Sequence, residues 1–265
     1  MSLYKYVSED TGSRYLNNWS VRYSPPSALN DPFELKPRID ADAIHRMDAE
    51  LLRVGNELSR KCGLPEFADC RSDPGFDPKV RADDFTRALH LMLENLGVLC
   101  FSRTHRHLLM WAHYTNGHRG MLLEFDEAHD SIATRGAGRD TSGTLYDVRY
   151  SDERPRVANL ISGEQVYQSH LTKSLEWAYE QEVRMFWWLN EPDHEVVAKN
   201  GERICLLTIP AAALKSVTLG CLASSTTETA VRAALAATSD ASSVQLRRAR
   251  ASSTAFTLAY DDLAR

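Results

Sequence analysis

The run VLCFSRTHRHLLMWAHYTNGHRGMLLEF, residues 98–125, decides the fold class. Its ends, VLCFS (98–102) and GMLLEF (120–125), have strand length and strand composition. Its middle, about 106–114, is a short helical stretch carrying Met110 and Trp111. Further strand-like text follows: YDVRY (146–150), VRMFWWL (183–189), RICLLTI (203–209), SVTLG (216–220), VQLRRA (244–249) and AFTLAY (255–260). Helical stretches at about 163–176 and 226–237 interrupt it. Strands this numerous, without strict βαβ alternation, predict an α+β fold of mixed, largely antiparallel sheets with flanking helices.

Upstream of 98 the text changes. The first forty residues look like short extended pieces, LYKYV, then WSVRYS, then a turn built on PPSALNDP. Residues 41–61 form an amphipathic pattern that Asp40 can cap and Gly63 can end. Residues 64–80 are loop-like, and a second helix is expected from about 82 to 96. The expectation is one α+β domain over 1–265, with a helical insertion at about 40–97, because residues 1–63 hold too few strands for a core of their own.

Composition bounds the function. The 265 residues are 43% hydrophobic and 25% charged, which is ordinary globular composition. Lys plus Arg is 31 and Asp plus Glu is 36, so the net charge of −5 argues against a generally basic nucleic-acid coat. No apolar run approaches the about eighteen residues that span a bilayer, so no membrane partner is expected. The start lacks a secretory layout, and five scattered cysteines suggest reduced thiols; a cytoplasmic protein is the expectation.

Several strings occur together: LYKY (3–6), YSPPSALNDPFE (23–34), CFSR (100–103), LMWAHYTNGHRGMLLEFD (109–126), VRY (148–150), Lys173 and WAYEQEVR (177–184). In this order they resemble the bacterial domain-of-unknown-function family numbered 2971, over roughly residues 3–220. That resemblance supplies a fold-sized unit and a set of residues, but no reaction.

The chemistry rests on three groups of residues. Glu180-Gln181-Glu182 stands at the entrance of an apolar strand. Strand alternation would put both carboxylates on one face. A Glu-x-Glu so placed resembles the catalytic signature of ADP-ribosyltransferases. The resemblance implies NAD as co-substrate. It gives Glu182 the role of stabilising the oxocarbenium-like transition state, and Glu180 that of assisting the acceptor. The plain alternative is an exposed strand end with ordinary acidic residues, Glu182 pairing with Arg184. Lys5 and Tyr6 on the first strand, then Ser24 or Ser102, match the basic–Ser–Glu order of one transferase branch, with lysine where that branch has arginine. Lys5 would meet a phosphate or ribose, and Tyr6 would stack on a flat ring; otherwise YKY is an edge strand.

The second group is His113-Tyr114-Thr115-Asn116-Gly117-His118-Arg119-Gly120, a loop whose amides and Arg119 can contact an anion. His113 is either an acid–base group or a structural hydrogen bonder. In the third group, Leu29-Asn30-Asp31-Pro32-Phe33-Glu34, Asn30 either lines the cleft or makes a turn. Histidine spacing fits no standard metal site. Three functions remain open: an NAD-dependent ADP-ribosyltransferase acting on a protein or nucleic acid, with a toxin or phage-defence setting implied by analogy; a non-catalytic nucleotide or nucleic-acid sensor; and a His-dependent nuclease.

Overall fold

The structure, a computed structural model, describes residues 1–33, 35–39, 41–61, 63, 65, 66, 68, 69, 73–75, 77, 79–81, 83, 84, 87, 94–133, 144–157 and 170–264. These divide into two compact units, one of residues 1–25, 96–148 and 176–265, the other of residues 26–95 and 149–175.

In chain order the strands are β1 Ser2–Val7, β2 Ser20–Tyr23, β3 Arg38–Ile39, β4 Leu96–Ser102, β5 Met121–Asp126, β6 Leu145–Asp147, β7 Arg149–Ser151, β8 Arg156–Val157, β9 Thr172–Ser174, β10 Glu182–Trp188, β11 His194–Val197, β12 Arg203–Thr208, β13 Leu214–Leu219, β14 Gln245–Ala251 and β15 Leu258–Asp262. The main helices are α1 Glu9–Asn18, α2 Ala41–Lys61, α3 Leu108–Tyr114 and α4 Ser225–Ala236. The fold is α+β.

The first unit is built on an eight-stranded sheet in the order β15-β14-β13-β5-β1-β4-β10-β6. Its pairs are antiparallel except β13 with β14, where α4 makes the crossover that a parallel pair requires. A three-stranded sheet, β11-β12-β2, accompanies it. Alternation along β1 sorts side chains to two faces. Leu3 and Val7 join the larger core with Phe101, Leu123, Phe125 and Val183, covered by Tyr15 and Leu16 of α1 and Val231 and Leu235 of α4. Tyr6 joins the smaller core with Leu122 and with Met110 and Trp111 of α3. Trp111 is fully buried. Each such fully buried large apolar side chain contributes about 1.5–3 kcal/mol of transfer free energy.

The second unit contains α2 and two short parallel pairs, β3 with β8 and β7 with β9. The helix expected over 41–61 is α2, and the expected cap Asp40 lies outside the described residues, as does much of 82–96.

Three expectations change. Residues 9–18 are not extended but helical: Ser8 caps α1 by accepting from the Thr11 amide, and Glu9 and Asp10 favour its N-terminus. Of the helical stretch expected at 163–176, residues 172–174 are strand, and 163–169 lie outside the described residues. YDVRY is split between β6 and β7, which belong to different sheets.

Candidate functional site: a split between two central strands

β1 pairs with β5 along its whole length, from Ser2↔Asp126 to Val7↔Met121. Its other edge behaves differently. Its only Cα-registered pair with β4 is Tyr4↔Ser102, and beyond that point the strands part. Four residues back along β4, Val98 exchanges both backbone hydrogen bonds with Ser24, at 3.1 and 2.8 Å. Midway between, the Cys100 carbonyl accepts from the Lys5 ammonium at 2.9 Å. A side chain thus stands where a ladder amide would be, as a buried carbonyl requires a partner.

The split opens into a cavity of about 740 Å³. Lys5, Tyr6, Ser24, His113 and Tyr114 all line it. Five residues singled out for function from sequence therefore meet in one place. Protein crowding around Lys5 pushes its ammonium pKa below the usual lysine value, while Cys100 and the Glu182 carboxylate act in the opposite direction. Two further cations reach the cavity, Arg14 from α1 and Arg22 from β2. Arg14 pairs with Asp10 at 3.1 Å, and Arg22 with Glu202 at 2.5 Å. Hydroxyls of Ser8, Thr11 and Ser20 complete a polar lining, opposite Val196, Ile204 and Leu206. Arg14 and Thr11 were missed because α1 was read as extended chain. The Ser8-Glu9-Asp10 start was the signal that could have found it.

The glutamates flank the cavity. Gln181 is left-handed, with φ 44°, so simple alternation does not carry from Glu180 to Glu182. Glu180 ends a 3₁₀ turn, Leu175–Glu180, and its carboxylate accepts from the Tyr114 hydroxyl, a cavity-lining group. Glu182 opens β10 and meets Arg184 in a bidentate pair at 2.9 and 3.0 Å. Both are buried, Arg184 completely. The pairing of Glu182 with Arg184 in the plain reading is present, but the strand end is buried rather than exposed. Burial and the adjoining Glu182 carboxylate push the Cys100 thiol pKa well up, so it is no activated nucleophile. Ser102 bonds the Glu180 carbonyl at 2.5 Å and accepts from the Thr104 amide, joining the start of β10 to β4. Neither Ser102 nor Glu182 is among the cavity-lining residues.

The loop after α3 does not offer its amides to an anion. Asn116, Gly117 and His118 are successively left-handed. The amides of Gly117, His118, Arg119 and Gly120 donate to the carbonyls of Ala112, Trp111, Thr115 and Thr115. Arg119 is exposed and bonds the Gly117 carbonyl at 3.3 Å, apart from the cavity lining. His118 stacks on Trp111. Asn30 is exposed in the second unit, where Asp31 accepts from the Phe33 amide in a turn; Glu34 lies outside the described residues.

The C-terminal arginines are not an open basic patch. Arg247 pairs with Glu124 and Asp262, Arg248 with Glu228, and Arg250 with Asp261. Among the described residues no group of three His, Cys, Asp or Glu side chains is placed to hold a metal. Nor is any described helix long and apolar enough to cross a membrane.

The segment from α3 through β5 to the Glu180–Arg184 cluster carries much of this construction. Residues 110–185 match the model of a family described as protein of unknown function, DUF2971. His113, Tyr114, Arg119, Glu180 and Glu182 fall inside the matched segment; Lys5, Ser24, Arg14 and Arg22 fall outside it. No curated protein and no solved structure matches the chain.

Proposed function

We propose that the first unit binds a nucleotide in the split between β1 and β4, with NAD and ADP-ribose as the leading ligand types. The observation that carries this reading is Lys5. Among the described residues, its ammonium, at the mid-point of the split, donates to the Cys100 carbonyl at 2.9 Å, stands 5.8 Å from the Phe101 ring and lies in the field of the Glu182 carboxylate. A phosphate arriving in the cavity supplies an anion for a charge-assisted hydrogen bond to this crowded cation. Arg14 and Arg22 serve a second phosphate, and the Tyr114 ring suits a base or nicotinamide, whereas the Tyr6 ring is packed edge-on against Trp111. The volume falls within the about 300–1,000 Å³ usual for small-molecule sites.

Isothermal titration with NAD, ADP-ribose and ATP, each at fixed salt, tests this. Saturable binding that weakens about tenfold or more in Lys5→Met is expected. A folded protein that binds none of the three sinks the proposal.

A second reading adds turnover, favoured by the hydrogen bond from cavity-lining Tyr114 to Glu180. On that reading nicotinamide departs from NAD and positive charge develops at the ribose carbon. Glu180, one hydrogen bond from the cavity, and Glu182, fixed by Arg184, supply the negative field. A protein or nucleic-acid nucleophile then takes the ADP-ribosyl group. Label transfer from radiolabelled NAD in a lysate, abolished in Glu180→Gln with NAD binding intact, supports turnover. Binding without any NAD consumption leaves the sensor reading in its place.

A further inference from the structure

On the sheet face that α3 covers lies a second, smaller cavity of about 340 Å³. Its floor is unexpectedly polar for the interior of a sheet. Ser216 and Thr218 of β13 are 1% and 2% exposed. Beside them Glu124 of β5 is held by Ser2 at 2.9 Å, Ser216 at 2.7 Å and Arg247 at 3.4 Å. Three rings form a wall: His105 lies 5.0 Å from Tyr4 and 5.9 Å from Tyr260, centroid to centroid. At the rim the exposed Arg106 guanidinium stands 5.8 Å over the Tyr260 ring.

These features narrow the ligand by elimination. A lone cation would face Arg247 and Arg106, and a lone anion would face Glu124 and Asp262. An apolar molecule would strand the polar floor without hydrogen bonds. A planar, neutral ring with donors on one edge and acceptors on another satisfies all three constraints, and stacks on the wall. Burial and the neighbouring Arg106 charge hold the His105 pKa below its usual value, so at neutral pH this ring too is uncharged.

We infer that this cavity is a site for a guanine base. Guanine carries adjacent N–H donors at N1 and N2, which a carboxylate such as Glu124 accepts. On the adjoining edge O6 and N7 are adjacent acceptors, the pairing that arginine makes most often, and Arg247, whose Nη1 contacts with Glu124 and Ser216 are long at 3.4 Å, lines the same cavity. Adenine lacks the N1 hydrogen and sets a donor beside N7, so it mismatches both partners. Arg106 at the rim is placed for a phosphate attached to the base's sugar. The inference is independent of the nucleotide reading of the larger cavity.

Guanosine separates the two sites, because it has no phosphate for Lys5. Titration of the full chain with guanosine and adenosine is expected to show guanosine about tenfold or more the tighter. Glu124→Gln, with its fold checked by circular dichroism, is expected to lose that preference. The exposed Arg106→Ala keeps guanosine binding but loses the gain that GMP shows over guanosine. Comparing GMP with a single-stranded oligonucleotide containing one guanine then identifies whether the base arrives free or within a nucleic acid. Equal affinity for adenosine, no saturable guanosine binding, or full preference in Glu124→Gln overturns the inference.

Discussion

Two residues show how charge is spent inside the first unit. Lys5 keeps its ammonium among protein atoms, at a pKa below the usual value. Between that lowered value and about 10.5 the unfolded chain binds more protons at this residue than the folded chain. The Lys5 contribution therefore makes stability rise with pH across that window. Lys5→Met removes this contribution. It is expected to raise the thermal midpoint at neutral pH, to flatten the alkaline rise, and to weaken nucleotide binding about tenfold or more, as the loss of a charge-assisted hydrogen bond implies. Differential scanning across pH, beside titration, checks it; a lowered midpoint with unchanged affinity would show Lys5 to be purely structural. Arg184 is the opposite case. Removing it takes the bidentate partner from the buried Glu182 carboxylate. Arg184→Met is expected to cost about 3–5 kcal/mol in urea unfolding, and Glu182→Gln added to it to recover much of that, because the penalty belongs to a buried carboxylate that has lost its bidentate guanidinium.

At the level of elements, alternation and length revealed β1, β2, β4, β5, β10, β12 and β13 in the sequence, since each presents a run of apolar or alternating residues to a core. α1 was hidden because only Gly12, Tyr15 and Leu16 of its ten residues are buried. Apart from its Ser8-Glu9-Asp10 start, its helicity draws on packing against α4 and the sheet, which local text does not encode. The Glu180–Glu182 geometry was hidden for a related reason: a left-handed Gln181 carries no residue-type signal of the kind glycine gives. The cavity-lining set was half legible. Lys5, Tyr6, Ser24, His113 and Tyr114 stood in conspicuous strings, whereas Arg14 depended on the missed helix. Helix α4 gives a sharp local test. The Ser225-x-x-Glu228 spacing has the form of a capping box, but the cap is Ser224, whose hydroxyl accepts from the Thr227 amide at 3.0 Å, while Glu228 serves Arg232 and Arg248. Ser224→Ala is expected to cost about 1 kcal/mol in chemical denaturation and Ser225→Ala only a few tenths. The reverse order would restore the box.

The whole chain threads out of the first unit and back twice, and each departure is pinned to its return. Residues 26–95 leave after Ser24 and re-enter just before Val98, and those two residues exchange a pair of backbone hydrogen bonds. Residues 149–175 leave after Val148, whose amide bonds the Glu182 carbonyl a few residues beyond the point of return. In both places the closure is made by backbone hydrogen bonds internal to the first unit. The entropy of closing each loop grows only slowly with its length, so shortening either excursion changes that cost little. The first unit also owns both apolar cores described for it, with Leu3, Phe125, Trp111 and Val217 all within its own segments. Replacing 26–95 and 149–175 by short Asn/Gly/Ser linkers is therefore expected to leave a protein that unfolds in one cooperative transition and keeps its nucleotide affinity within about threefold, since both proposed ligand sites are lined by this unit alone. Circular dichroism melts and the NAD titration read the two consequences separately. A molten, non-cooperative product would show that the excursions complete the core. A cooperative product without binding would instead place part of the ligand site in the removed residues, and the split between β1 and β4 would no longer be sufficient for it.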